Sequence, residues 1–360
     1  MKKIVFILVL FCTVPAVAQY APVSIPGSEI RFIQSEIVNG QEYELQILLP
    51  GGYSNSTKQY PVVYLMDSQW DFPLVKSIYG QYYYDGFIPE LIIVGVTWGG
   101  KKPNPDSLRA RDYTPTREAR LLQSGGADRF LSFMKTELFP FIEQNYRASK
   151  DERILMGCSL GGLFTIYAML THSEMFSGYA AASPAIGWDN QVLYQYEKIF
   201  SEKKIDKPIR LYMTIGDVER GRSSFEKMAS FLIDKKYNNV HIRSKVLENT
   251  GHSGTKSETY TRGLQYIFEK NKLALSNEQL EKYTGTYQLP NGSTIELKIE
   301  DKELYWFSGP QNKTRLLANT IHHFYATHEF FNLYFKINTS KVEGFDWTRY
   351  GSTQFIKKIN

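Results

Sequence analysis

The 360-residue chain has few cysteines, little net charge and no apolar run long enough to span a membrane. Its 42 basic and 37 acidic residues leave a formal net charge of +5, which is too small and too scattered to indicate a nucleic-acid partner. The 26 glycines and the lack of extended heptads exclude collagen-like and coiled-coil chains. With 42% hydrophobic residues, the chain is not disordered as a whole. Its length predicts about two globular domains.

The amino terminus has the pattern of an export signal. Two lysines follow the initial methionine, an apolar run occupies residues 4–12, and an Ala-Val-Ala cleavage pattern stands at 16–18. We therefore expect residues 1–18 to be a signal peptide that is removed on export. The mature protein would then be periplasmic or secreted, without a transmembrane segment. Its one remaining cysteine, Cys158, excludes an intramolecular disulfide.

Predicted strands alternate with predicted helices up to about residue 275. Short continuous apolar runs are typical of strands that are covered on both faces. This alternation indicates an α/β domain with a mostly parallel sheet. The predicted helices lie at 127–146, 161–170 and 223–236, and the predicted strands at 30–38, 42–49, 61–66, 91–96, 153–156, 209–215 and 241–246.

After residue 275 the chain changes to short strands with alternating polar and apolar residues. Eight such strands fit into the last part of the chain, the first of them at 280–287. Short alternating strands at this spacing indicate a small antiparallel β-barrel or sandwich. We therefore predict two domains, at residues 19–275 and 276–360.

The pentapeptide Gly157-Cys158-Ser159-Leu160-Gly161 has the pattern G-x-S-x-G. It lies between a predicted strand and a predicted helix, which is the context that a nucleophile elbow needs. The two glycines make room for a sharp turn, and this turn directs the N–H of Leu160 toward an oxyanion. Ser159 is therefore the candidate nucleophile. The alternative is a glycine–serine turn without catalytic chemistry.

Candidates for a base and an acid follow two later predicted strands. Of the six histidines, His252 lies in a turn-rich loop after a late strand, where the histidine of a triad is expected. Asp217 and Glu219 follow the strand at 209–215, and a carboxylate there would orient His252 and stabilise its imidazolium. The order serine, acid, histidine is that of α/β-hydrolases. We favour Glu219 and keep Asp217 as the alternative acid.

These motifs resemble the putative esterase family of the α/β-hydrolase superfamily, which includes esterase D and the enterochelin esterases. The resemblance rests on the elbow, on Arg-Asp-Tyr-Thr-Pro-Thr at 111–116 and on Val-Val-Tyr-Leu-Met-Asp at 62–67. It covers about residues 28–272. It implies an α/β-hydrolase sheet with covering helices and a serine esterase that needs no cofactor.

The resemblance also implies roles for residues around the elbow. In the enterochelin-esterase-like branch the acid stands three residues after a glycine, which is Glu219 here. A second oxyanion N–H would come from the loop after Asp67, from Ser68 or Gln69. Relatives generally have glycine directly after the aspartate, where this chain has Ser68. Cys158 is expected to be a buried neighbour of the nucleophile and not a second nucleophile.

The carboxy-terminal region is similar to the lipocalin-like β-domain of some secreted serine hydrolases. This similarity rests on Tyr-Thr-Gly-Thr-Tyr at 283–287 and on the domain order. His322, His323 and His328 also lie in this region, but no carboxylates or cysteines accompany them at metal-ligand spacing. We therefore expect no metal site.

Aromatic side chains near predicted strand ends are candidates for a substrate pocket. Open α/β sheets bind ligands at the carboxyl ends of their strands. Trp70, Tyr83 and Trp188 are expected on loops at these ends or on their approaches. Packing in the core is the alternative for each of them.

Arg109 and Arg111 are candidates for binding an anionic substrate such as a catecholate siderophore. The alternative is that they pair with Asp106 and Asp112. We expect an exported serine carboxylesterase that forms an acyl-enzyme on a small-molecule or glycan-linked ester of siderophore, feruloyl or sugar type. Acyl transfer by the same triad and glycan binding by a non-catalytic scaffold remain alternatives.

Overall fold

The computed structural model describes residues 24–326 and 330–360, and the expected signal peptide lies outside these ranges. An eight-stranded sheet lies at its centre, with the spatial order β1-β2-β4-β3-β5-β6-β7-β8. Strands β3 to β8 are parallel to one another. At one edge β2 pairs with β4 in antiparallel orientation, and β1 pairs with β2 in the same way. These strands are β1 (Ser28–Gln34), β2 (Glu42–Leu48), β3 (Tyr60–Leu65), β4 (Ile92–Trp98), β5 (Ala148–Cys158), β6 (Gly178–Ala182), β7 (Ile209–Gly216) and β8 (Val240–Leu247).

Helices cover both faces of this sheet. They are α1 (Ser68–Tyr84), α2 (Pro105–Tyr113), α3 (Ala127–Phe133), α4 (Phe139–Asn145), α5 (Leu160–Thr171), α6 (Leu193–Phe200), α7 (Arg222–Asp234) and α8 (Thr255–Ile267). α1 and α8 pack on one face, and the others supply the apolar layer on the opposite face. Because both faces are covered, every residue of β3 and β4 is buried, as the continuous apolar runs predict.

The carboxy-terminal strands close into an antiparallel barrel. They are β9 (Gly285–Gln288), β10 (Thr294–Glu300), β11 (Glu303–Gly309), β12 (Asn312–Thr320), β13 (His323–Ala326), β14 (Phe331–Asn338), β15 (Lys341–Arg349) and β16 (Ser352–Lys358). Large buried side chains occupy the interior, among them Tyr287, Trp306, Phe324, Phe335 and Phe345. The lumen of this small barrel is therefore a packed core and not a ligand cavity.

The predicted fold class, an α/β-hydrolase sheet followed by a small antiparallel β-barrel, is confirmed. One predicted strand, at 280–287, is wrong in its first half, because the short helix α9 (Asn277–Glu281) ends there and a turn precedes β9. The Ser276 side chain accepts from the N–H of Gln279, and the Gln279 side chain accepts from the N–H of Ser276. This capping box starts a helix where alternation alone indicated a strand. The helices of the described residues are too short or too polar to cross a membrane.

The barrel contacts the edge of the sheet at which the parallel strands begin. The hydroxyl of Tyr83, near the end of α1, donates to the carbonyl of Gly351 at 3.2 Å. Tyr84 stacks on Tyr350 with ring centroids 5.0 Å apart. Side chains at the start of β3, such as Tyr60, line one cleft together with barrel residues. The opposite edge, at which β5, β7 and β8 end, carries the site described next.

Candidate active site

Ser159 stands on a sharp turn between β5 and α5. Its backbone has φ 60° and ψ −116°, a conformation that non-glycine residues rarely adopt. A Cβ on Gly157 would lie 2.6 Å from the backbone of Gly161, so only glycine fits there. Leu160 begins α5, and its N–H is therefore one of those that have no acceptor within the helix. The turn has the geometry of a nucleophile elbow.

His252 and Glu219 form a close pair after β8 and β7. Glu219 Oε2 lies 2.6 Å from His252 Nδ1. The other oxygen, Oε1, accepts from the Gly216 N–H at 2.9 Å and from the Ser183 hydroxyl at 2.6 Å. Burial opposes ionisation of Glu219, but hydrogen bonds from Ser183, His252 and Gly216 outweigh it and lower its pKa below 4.5. A carboxylate that holds Nδ1 leaves Nε2 of His252 free for proton transfer.

The sheet brings these residues to one edge. In the register of neighbouring strands, Cys158 stands beside Ala182, which stands beside Thr214. The N–H of Ser159 donates to the carbonyl of Ala182 at 2.9 Å, and the N–H of Ser183 donates to that of Thr214 at 2.9 Å. The nucleophile and the acid therefore lie two strands apart, about 10 Å along the sheet.

Ser183 is a site residue that the sequence motifs do not identify. Besides its bond to Glu219, its hydroxyl lies 2.8 Å from the Thr255 hydroxyl. Thr255 in turn donates to the backbone carbonyl of His252 at 2.8 Å. Ser183 thus connects the acid to the histidine loop. Its place directly after β6, between the strands of the nucleophile and the acid, is the signal that would have found it.

Asp217, the alternative acid, does not contact the His252 ring. Its Oδ1 accepts from the N–H of Thr250 at 3.2 Å. Backbone hydrogen bonds from Asn249 and Thr250 lower the pKa of Asp217 below 3.8. Asp217 therefore holds the backbone that precedes His252, whereas Glu219 contacts the ring.

Ser68 and Gln69 do not lie on a loop, as the resemblance implies, but in the first turn of α1. Asp67 is the residue before this helix and has a left-handed backbone, with φ 55°. N–H groups in a first helical turn have no acceptor within the helix and are available to an anion. Free N–H groups in this turn are consistent with the expected oxyanion donor, which stays a prediction. The helical conformation itself is not what the sequence indicates.

Asp67 and Arg109 form a buried ion pair beneath the elbow. Arg109 Nε and Nη2 donate to the two oxygens of Asp67 at 3.1 and 2.8 Å. Nη2 also reaches the carbonyl of Cys158, at 3.4 Å. The alternative interpretation, in which Arg109 pairs with Asp106, is therefore wrong, because Arg109 pairs with Asp67. The pair ties the start of α1 to the residue before the nucleophile.

Arg111 lies beside a buried carboxylate. It pairs with Asp112, Nε to Oδ1, at 2.7 Å, as the alternative interpretation had it. Asp112 is 1% exposed and also accepts from Trp98 Nε1 at 2.7 Å and from Tyr43 OH at 2.9 Å. Arg111 therefore compensates a buried carboxylate, while its own side chain stays 26% exposed.

The three aromatic candidates lie in different places. Trp70 is in the first turn of α1, 51% exposed, with the Arg109 guanidinium 5.6 Å from its ring centroid. Trp188 follows β6 and donates from Nε1 to Thr116 Oγ1 at 3.1 Å. Tyr83 lies near the far end of α1, about 22 Å along the helix axis from Ser68. It contacts the barrel instead.

Cys158 is buried and free of disulfide bonds. Burial raises the pKa of its thiol to about 12, so the thiol stays protonated at neutral pH. A protonated, inaccessible thiol is a poor nucleophile. The structure thus gives Cys158 the place expected for it, next to Ser159.

The histidines of the barrel form hydrogen bonds within it. His322 Nδ1 lies 2.8 Å from Tyr283 OH, and His323 Nε2 lies 3.0 Å from Asn332 Oδ1. Burial lowers the pKa of His323 to about 4. His328 lies outside the described residues. Within residues 24–326 and 330–360, no group of three or more potential metal ligands comes together.

Two clefts at the junction of sheet and barrel have volumes of about 480 and 510 Å³. They lie on the side away from Ser159. In the first cleft, Arg243 pairs with Glu269 at 3.5 Å and Lys245 pairs with Glu258 at 2.9 Å. The lining of this cleft has five basic and three acidic side chains, so positive charge is in excess.

Residues 35–293, well over half of the chain, match the family model described as putative esterase. The chain belongs to the putative esterase family. This membership confirms the resemblance and the expectation of a serine hydrolase that acts on carboxylic ester bonds. Residues 269–358 match a domain of unknown function, DUF3471. Because the two matches overlap, the domain boundary at residue 275 stays a prediction.

Named relatives of this esterase are siderophore esterases. It is 31% identical over 216 residues to ferri-bacillibactin esterase BesA of Bacillus subtilis, covering 56% of this chain and 74% of that protein. It is 27% identical over 189 residues to siderophore triacetylfusarinine C esterase of Aspergillus fumigatus, covering 51% and 64%. The crystal structure of an IroE-like serine hydrolase from Shewanella oneidensis superposes with a TM-score of 0.60 at 26% identity, covering 71% and 84%.

Proposed function

We propose that this esterase hydrolyses the ester bonds of a siderophore or a closely similar small-molecule ester. The substrate class is supported by the names of its relatives, which act on bacillibactin and fusarinine siderophores. The catalytic chemistry is supported by one relationship above all: the 2.6 Å contact of Glu219 and His252 at the sheet edge that carries the Ser159 elbow.

In the proposed mechanism, Ser159 Oγ attacks the ester carbonyl while Nε2 of His252 takes the hydroxyl proton. Glu219 stabilises the resulting imidazolium through Nδ1. The N–H of Leu160, with that of Ser68 or Gln69, binds the oxyanion of the tetrahedral intermediate. Collapse of this intermediate forms the acyl-enzyme, and His252 returns the proton to the leaving alcohol. Water, activated by His252, then releases the acid without a cofactor.

Hydrolysis is favoured over acyl transfer by the exposure of the site. The side chain of His252 is 49% exposed, so water has access to the base. A scaffold that only binds glycans is disfavoured by the backbone of Ser159, which has a positive φ. Such a conformation costs free energy and is typical of catalytic residues. Measuring both acid release and acyl transfer to added alcohols or sugars separates the two enzymatic outcomes.

A substrate panel tests the proposed function. It contains a ferric catecholate siderophore ester, a feruloyl ester, an acetylated sugar and short p-nitrophenyl esters, and Ser159→Ala serves as the control. We expect kcat/KM to be highest for the siderophore ester and to be lost in Ser159→Ala. Turnover that is equal for all esters would contradict the substrate class, and turnover that survives in Ser159→Ala would contradict the mechanism.

Export is part of the proposal, since the signal pattern at 1–18 suits a substrate that arrives from outside the cell. Fractionation of expressing cells, followed by mass spectrometry of the amino terminus, tests it. We expect a mature chain that begins at Gln19 in the periplasm or the medium. An intact amino terminus on protein from the cytoplasm would contradict export.

A further inference from the structure

Asp71 is a buried carboxylate that the proposed mechanism does not use. It lies in the first turn of α1, close in sequence to Ser68 and Gln69, and is 2% exposed. Its Oδ1 accepts a hydrogen bond from Lys256 Nζ at 2.6 Å, and its Oδ2 accepts one from Tyr260 OH at 2.7 Å. Both oxygens therefore have partners, as a buried charge requires.

Lys256 connects this carboxylate to the histidine loop. It lies in the first turn of α8, four residues after His252, and its side chain is 19% exposed. The loop is joined to α8 by Thr255, which donates to the carbonyl of His252 at 2.8 Å. Because α8 begins directly after the loop, a displacement of its first turn would move His252.

We propose that the Asp71–Lys256 ion pair is a positioning pair, which fixes the histidine loop relative to the oxyanion end of α1. This inference rests on the proposed roles of Ser159 and His252. The two residues are 185 positions apart in the chain, and their helices lie side by side on one face of the sheet. The pair joins these helices at the ends that carry the site.

A second ion pair, Asp67–Arg109, also connects the start of α1 to the site. Arg109 joins Asp67, at the start of α1, to the carbonyl of Cys158. The start of α1 is therefore joined by one ion pair to the residue before the nucleophile and by another to the helix that follows the base. Since a misplacement of about 1 Å in an active site lowers rates by about 100-fold, such ties have measurable consequences.

Four variants test the proposal: Lys256→Met, Asp71→Asn, Lys256→Arg and the double variant Asp71→Asn/Lys256→Met. Lys245→Met is the matched control, because Lys245 also pairs with a residue of α8, Glu258, but its side chain is 55% exposed. Each protein is assayed for kcat and KM on a p-nitrophenyl ester, for Tm, and for hydrogen–deuterium exchange of residues 248–256.

We expect Lys256→Met to lower kcat about 10- to 100-fold with KM changed less than about threefold, because the base moves while the binding surface stays. Exchange in residues 248–256 becomes faster. Lys256→Arg keeps kcat within about threefold of the original protein, since a guanidinium can also donate a charge-assisted hydrogen bond to Asp71. In the double variant Tm recovers, because no unpaired charge stays buried, but kcat does not.

Two results would overturn the proposal. One is a Lys256→Met protein with unchanged kcat and unchanged exchange in residues 248–256. The other is a double variant in which kcat recovers together with Tm, which would make the pair only structural. If Lys256→Met does not fold, Asp71→Asn provides the same comparison. If the original protein turns over no ester, the proposed function fails, and the exchange data alone decide whether the pair holds the loop.

Discussion

Glu219 Oε2 and His252 Nδ1 lie 2.6 Å apart, although the two residues stand on separate loops and 33 positions apart in the chain. Three hydrogen bonds hold the carboxylate in this place, from His252, Ser183 and Gly216. A contact so well supported selects one tautomer of the imidazole and one direction for its free nitrogen. The proposed proton transfer from Ser159 depends on this pair.

Replacement of the acid distinguishes Glu219 from Asp217. We expect Glu219→Gln to lower kcat/KM by about 100- to 10,000-fold, because an amide favours the wrong tautomer of His252 and does not stabilise the imidazolium. Asp217→Asn is the matched control and should stay within about tenfold, since it weakens only a backbone contact of the loop. Steady-state kinetics on a p-nitrophenyl ester measure both. If Asp217→Asn is the one that loses activity, the assignment of the acid is wrong.

The lowered pKa of Glu219 predicts the pH dependence of stability. Its pKa in the folded state lies below the unfolded value of about 4.5, so its contribution is fully present above that pH and is lost as the pH falls through the folded pKa. We expect the original protein to be more stable than Glu219→Gln at pH 5 and above, and this difference to shrink below about pH 4.5. Urea unfolding between pH 3.5 and 7 tests this. A difference that stays constant over the whole range would contradict it.

Loss of Arg109 leaves the Asp67 carboxyl buried without its ion-pair partner. We expect Arg109→Met to destabilise the protein by about 3–5 kcal/mol, because the buried carboxyl loses its ion-pair partner and both hydrogen bonds from it. Arg315→Met is the control, since its pair with Glu303 is exposed and should contribute less than about 1 kcal/mol. Urea unfolding at pH 7 gives both values. Equal changes in the free energy of unfolding for the two substitutions would show that the Asp67–Arg109 pair contributes no more to stability than an exposed pair.

Gly157→Ala tests the tightness of the elbow. The added Cβ would lie 2.6 Å from the backbone of Gly161, so the turn must distort. We expect soluble Gly157→Ala protein to lose at least about 100-fold in kcat/KM, because the nucleophile is displaced by about 1 Å. Gly187→Ala has nothing within 4 Å of the new Cβ and should keep full activity. Near-normal activity of Gly157→Ala would mean that the turn is looser than described.

Local sequence signals predicted the parts of the site that depend on local structure. The glycines around Ser159 and the positions of Glu219 and His252 after strands are such signals, because strand ends place loops at one edge of the sheet. The α/β class and the barrel also follow from periodicity. Ser276 and Gln279 show the opposite case: a capping box was present in the sequence, but alternation in the following residues suggested a strand.

Contacts between residues far apart in the chain could not be predicted from the sequence. The nearby Asp106 is the alternative partner that the sequence offers for Arg109, but its partner in the structure, Asp67, is 42 positions away. Asp71 and Lys256, 185 positions apart, have no local pattern that would join them. The sequence indicates a loop after β3, and a loop there would lie close to the substrate together with Tyr83. As a long helix, α1 carries this side chain to the opposite edge of the sheet.

The most direct test of the central claim, that Ser159 is an activated nucleophile, is labelling with a fluorophosphonate probe and identification of the modified residue by mass spectrometry. We expect stoichiometric modification of Ser159 in the original protein, much slower modification in Glu219→Gln, and none in Ser159→Ala. Absence of labelling in the folded original protein, or labelling of a different residue, would contradict the account.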